Sequence, residues 1–115
     1  MTKADKPHSS REELLRAWER NLPSVLNDTD QARVDLDQGD ERALRITIQT
    51  AGHTGYNFDF KCTYMDDREV DVQLVDVESE GQSVDERKEA IQQLISDYVR
   101  HIHECAQAVV PVTHA

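Results

Sequence analysis

Cationic residues are in short supply in this 115-residue chain. Thirteen Lys and Arg stand against 23 Asp and Glu, for a formal net charge of −10. Nucleic acids and anionic membranes attract proteins chiefly through Lys and Arg contacts to phosphate, so neither is an expected partner. The field of such a chain favours basic proteins or metal cations. Cysteine is scarce as well: Cys62 and Cys105 are expected as free thiols rather than as a disulfide framework. No apolar run approaches the ~18–20 residues of a membrane span. Residues Met1 to His8 also lack the apolar centre of a signal peptide, and the expected location is cytoplasmic. Neither an internal repeat nor a low-complexity stretch is present.

What the chain does have is enough length for one domain and a strict alternation through its middle. Leu44, Ile46 and Ile48 are separated by Arg45 and Thr47. Tyr56, Phe58, Phe60, Cys62 and Tyr64 are separated by Asn57, Asp59, Lys61 and Thr63. Val70, Val72 and Leu74 are separated by Asp71 and Gln73. Successive side chains leave a strand on opposite sides, so a period of two means strands with one dry and one wet face. After Leu74 the parity changes to Val75 and Val77, the mark of a bulge or a strand end. Val34 and Leu36 predict a short edge strand before the first of these. Ala51 to Gly55 and Met65 to Arg68 supply turns.

Helical signals flank the strands. Ser10 with Glu13 reads as a capping box, followed by Leu14, Leu15, Trp18, Leu22 and Val25 at helical spacing. Pro23 predicts that the helix runs from 11 to 22 with at most one further turn. Ser83 with Glu86 reads as a second capping box ahead of the stripe Ile91, Leu94, Ile95, Tyr98, Ile102, Cys105 and Ala106, which Pro111 is expected to end. The expected fold is α+β, a two-layer sandwich in which an antiparallel sheet of three to four strands carries the N- and C-terminal helices on one face. Residues 1–8 read as a tail, 9–110 as a single domain and 111–115 as a C-terminal tail.

Three groups of residues could carry chemistry. His101 and Cys105, four apart, share one side of a helix and are candidate zinc ligands, whereas His103 lies on another side; neither a CxxC nor an HExxH pattern accompanies them. Cys62, His53 and Asp66 are the ingredients of a thiol nucleophile without a glycine elbow or family spacing, so packing is the simpler role for Cys62. Asp28, Asp30, Asp35, Asp37, Asp40 and Glu41 crowd an acidic segment that lacks the twelve-residue calcium-loop pattern. Its plainest reading is a solvated loop. Its functional reading is a surface for a basic protein, with Asp35, Asp37, Asp40 and Glu41 as the candidate contacts.

Gly55-Tyr-Asn-Phe-Asp-Phe-Lys61 resembles the strand motif of bacterial frataxins, and the preceding helix, acidic connection and strand ending in Leu44-Arg-Ile-Thr-Ile48 follow their outline. The resemblance implies iron binding through an acidic ridge and contact with iron–sulfur assembly proteins. It covers under half the chain. Too few strands lie between Ile48 and Tyr56, the sheet tryptophan of that family is missing, and an extra strand follows the motif. The order helix, three strands, helix also matches double-stranded RNA-binding domains, whose lysine-rich final helix start is here Val84-Asp85-Glu86-Arg87-Lys88-Glu89. The combined expectation is a non-catalytic, acidic protein-interaction or regulatory module without a cofactor, with a metal-binding protein as the alternative and a homodimer through an edge strand possible.

Overall fold

A computed structural model describes residues 11–50, 55–79, 82–85 and 87–113 of the chain. Helix α1 spans Arg11–Val25. Four strands follow, β1 Gln31–Leu36, β2 Ala43–Gln49, β3 Tyr56–Tyr64 and β4 Val70–Ser79, then a two-residue strand β5, Gln82–Ser83, and helix α2, Glu89–Thr113. The strands pair in sequence order, β1-β2-β3-β4-β5, and every pairing is antiparallel. The expected α+β fold is therefore the observed one, with β5 added at the far edge.

The alternation dictates the layers. Leu44, Ile46 and Ile48 stand opposite Cys62, Phe60 and Phe58, and all six are at most 1% exposed. Val34 extends this apolar face on β1, and Val70 and Val77 extend it on β4. Each such side chain contributes ~1.5–3 kcal/mol when withdrawn from water. Against that face α1 sets Leu14, Ala17, Trp18 and Leu22, and α2 sets Ile91, Tyr98, Ile102, Cys105, Ala106 and Val109. At the centre the indole Nε1 of Trp18 donates to the Tyr64 hydroxyl over 3.0 Å, satisfying a donor that water cannot reach. The Phe58 and Tyr98 rings meet at 5.3 Å between centroids and tie α2 to β3.

The parity change after Leu74 is a bulge. Phe60 pairs with Leu74 but Asp59 pairs with Asp76, so Val75 is the extra residue, 49% exposed. The bulge returns Val77 to the dry side opposite Phe58 and lets β4 continue to Ser79. Gly55, at φ 57°, ends the β2–β3 connection in a left-handed conformation that suits glycine. Thr50 closes that connection, its hydroxyl donating to the Tyr56 carbonyl and accepting from the Tyr56 amide.

The end of α1 falls within the expected further turn after Pro23, but without the expected break, and the end of α2 runs past its expected stop. Pro23 lies inside α1, which continues unbroken to Val25 because Leu22 and Leu26 are both buried beneath that turn. Pro111 likewise lies inside α2, which continues to Thr113. A proline there removes one donor in the last turn, a small loss beside the buried Val109. Residues 111–113 are thus helical rather than the beginning of a tail. The second capping box is also displaced. Ser83 is in β5, paired with Glu78, and α2 begins only at Glu89. Asp85 supplies the turn instead, accepting from the Arg87 amide at 3.0 Å. The first capping box rests on Ser10, and the 1–8 tail and His53 likewise lie outside the described residues.

Candidate functional site

Because the helices and the core lie on one side of the sheet, its other face carries no helix or strand among the described residues. Cross-strand partners set out its rows: Asp35, Arg45, Lys61 and Gln73 in one, Arg33, Thr47, Asp59 and Asp76 in the next, Gln31, Gln49, Asn57 and Glu78 beyond. The first two rows mix acids with bases, the third holds three amides and one acid, and the face is shallow. A depression of about 270 Å³ on it is lined by Gln31, Ala32, Arg33, Thr47, Gln49 and Asn57. Cross-strand bonding ties the surface down, as where the Thr47 hydroxyl donates to Asp59 over 2.8 Å.

The acidic segment does not form a ridge of bare carboxylates. Asp35 accepts from Arg33 Nε at 2.9 Å. Asp40 stands 3.6 Å from the Lys61 ammonium and accepts from the Arg42 amide at 2.9 Å. Asp37 is only 8% exposed and organises the β1–β2 turn. Its carboxylate accepts from the Gly39 amide at 2.8 Å and lies 3.9 Å from Arg45 Nη1. The Gly39 hydrogen bond, helped by Lys61, the Asp40 amide and Arg45, holds the Asp37 carboxyl below its ordinary value, against the opposing effect of burial. Its backbone carbonyl accepts from Arg11 over 2.9 Å, which fastens the start of α1 to the end of β1. Asp30 is engaged elsewhere, beside the buried Tyr98 hydroxyl. Burial, together with the Asp30 carboxylate, pushes that hydroxyl upward. Of the four carboxylates expected to meet a partner, Asp35 and Glu41 are exposed, Asp40 is half-buried and Asp37 is buried.

The helix candidates for zinc are separated by burial. Cys105 is fully enclosed in the core, and desolvation pushes its thiol up to about 12. His101 is half-buried and its Nδ1 meets Glu104 Oε1 at 2.8 Å. Among the described residues no three His, Cys, Asp or Glu side chains gather as a metal would need. Cys62 is also buried, and its thiol is raised first by desolvation and then by the nearby Cys105 and Asp71. A thiolate is the reactive and metal-binding form, and both environments oppose it. Asp66, the third ingredient of the thiol reading, sits in the β3–β4 turn, where it accepts from the Arg68 and Glu69 amides at 2.8 Å each.

The fold also assembles a second shallow hollow, of about 310 Å³, from residues not among the sequence candidates. Met65, Arg68, Glu69, Val70 and Asp71 form its sheet side and His103, Ala106 and Gln107 its helix side. The signal available in the sequence was the polar row of Val70 to Ser79, which holds acids but no base, beside an exposed Met65, which is 61% accessible. No helix among the described residues is long and apolar enough to cross a membrane. No protein-family model, curated protein or solved structure matches the chain.

Proposed function

We propose that the protein is a non-catalytic module that acts by binding another protein. The observation that carries this reading is the polar face of the sheet, which spans β1 to β4 and is left uncovered by the described elements, both helices occupying the opposite side. A shallow, hydrogen-bonding surface of mixed charge fits a macromolecular partner better than a small ligand, which needs an enclosing cleft. The excess of carboxylates favours a partner with basic groups, through faster encounter and better-defined register. Asp35 and Glu41, exposed at the rim, are the carboxylates best placed to meet them.

Native mass spectrometry of the tagged protein, drawn gently from its own cells, tests the reading. The expected result is a complex with a second polypeptide that weakens when Asp35 and Glu41 are both changed to Lys. A bare 13.2 kDa species would overturn it, as would a bound metal with no polypeptide.

A further inference from the structure

β1 forms one border of the sheet, and no strand of the described residues lies beyond it. The Asp37 amide donates to the Ala43 carbonyl, and this bond fixes which residues of β1 face β2. Bonded and non-bonded pairs alternate along an antiparallel ladder, so Gln31, Arg33 and Asp35 turn their backbone groups toward Gln49, Thr47 and Arg45. Ala32, Val34 and Leu36 therefore turn theirs outward. A row of outward donors and acceptors is a template for another strand.

Charge on an edge strand ordinarily discourages such pairing. On β1, however, the two charges are of opposite sign and stand on either side of Val34, as Arg33 and Asp35. When a second β1 lies antiparallel with Val34 opposite Val34, each Arg33 stands opposite Asp35 of the other copy. Ala32, which is exposed, then meets the half-buried Leu36, and Gln31 meets Asp37. No like charges face each other. The backbone agrees with the side chains. Val34 with Val34 and Ala32 with Leu36 bring outward groups together as bonded pairs. Arg33 with Asp35 becomes the non-bonded pair, in which side chains come closest. Slipping one strand by two residues sets Arg33 against Arg33 in one direction and Asp35 against Asp35 in the other. Slipping it by one residue sets the apolar row of one copy against the polar row of the other. A single register is free of conflict.

We propose that the outer edge of β1 is a self-complementary docking site whose occupant is β1 of a second copy of this chain. Within one strand Arg33 and Asp35 pair at 2.9 Å with both side chains more than half exposed. At the seam that contact is exchanged for two pairs between the copies. The arrangement is isologous, each copy giving the same patch. Its two-fold axis passes between the Val34 residues perpendicular to the sheet, as an antiparallel ladder requires. Both helical layers then stay on one side, and the two polar faces join into one. The inference goes beyond the binding of another protein, since the seam needs no other polypeptide.

Sedimentation velocity of the whole protein at rising concentration is expected to show a species of twice 13.2 kDa. Arg33→Glu and Asp35→Lys are each expected to weaken that association at least about tenfold, because each sets like charges together twice at the seam. An equimolar mixture of the two variants is expected to associate again. In the mixed pair the introduced carboxylate faces the introduced ammonium, and the remaining Asp35 faces the remaining Arg33. Circular dichroism verifies that each variant keeps its fold, and recovery on mixing excludes misfolding as the cause of the loss. Hydrogen exchange is expected to slow with concentration at Ala32, Val34 and Leu36 and to stay unchanged at residues 70–74. A 13.2 kDa species at every concentration up to about 1 mM would overturn the assignment. So would a dimer that both variants leave intact, a mixture that stays monomeric, or protection that grows at 70–74 instead. The seam and the contact with a basic partner are told apart by Arg33→Glu, which opens the seam and leaves Asp35 and Glu41 in place.

Discussion

The dry and wet faces of the sheet are made by the same strands, from residues one position apart. On the dry face Ile46, Ile48, Phe58, Phe60 and Cys62 are all fully buried, and the loss of any one leaves a void that neighbours cannot fill. On the wet face Arg33, Asp35, Asp40 and Lys61 bind one another through contacts that water screens and can replace. Stability belongs to the first face, while the second can vary at little cost to it. A substitution series across the two should therefore separate sharply.

The largest effect is expected inside. Phe60→Ala removes a fully buried ring at the sheet centre and should cost ~3–5 kcal/mol in urea unfolding. Tyr64→Phe comes next. It keeps the volume but strands the Trp18 Nε1 donor in the core, for an expected loss of ~1–3 kcal/mol. A result near zero would show that the indole finds another acceptor.

Asp37 lies between the faces and sharpens the comparison. Its carboxyl is held below the ordinary value of 3.8, so its ionised form is favoured by folding. That stability is fully present above the unfolded value and is lost as pH falls through the folded value. Asp37→Asn should therefore lower stability at neutral pH by ~0.5–1.5 kcal/mol. It should also flatten the decline below about pH 4, read as unfolding midpoints across an acid series.

The smallest effects belong outside. Arg33→Ala breaks an ion pair whose two side chains are 75% and 55% exposed, and should shift stability by less than ~0.5 kcal/mol. A larger loss would mean that the β1 border depends on this pair. Iron, calcium and zinc are each expected to leave the melting temperature unchanged, because a metal that binds only the folded state would raise it. A rise with zinc that vanishes in His101→Ala would reinstate the helix residues as ligands.

The strands most legible in the sequence were those whose alternation coincides with burial. β2 and β3 lie at the centre of the sheet, where each inward side chain is buried, so apolar and polar positions separate cleanly. β1 was legible only through Val34 and Leu36, since Gln31, Ala32 and Arg33 are all exposed and show no alternation. β5 had no signature at all. Two residues joined to β4 by backbone pairing leave no side-chain pattern to read. The local rules for Pro23 and Pro111 predicted breaks because they take no account of the burial of Leu22, Leu26 and Val109 that outweighs them, and Ser83 read as a cap because its pairing with Glu78 leaves no local signature. Among the candidate site residues, type and spacing were visible but surroundings were not. Cys105 and His101 share a helix side, yet only the folded core shows that the thiol is sealed away. The carboxylates at 35–41 are adjacent in sequence, but the cations that answer them, Arg45 and Lys61, come from β2 and β3.

Trp18 has a practical consequence. It is the chain's single tryptophan, wholly enclosed and bonded to a tyrosine from the far side of the core. Its ultraviolet emission therefore reports on one place, the junction of α1 with β3. Shielded from water, the indole should emit at short wavelength and resist quenching by iodide, and a red shift would record the moment when that junction opens. The molecule thus carries its own optical probe, and its unfolding can be followed without any added label.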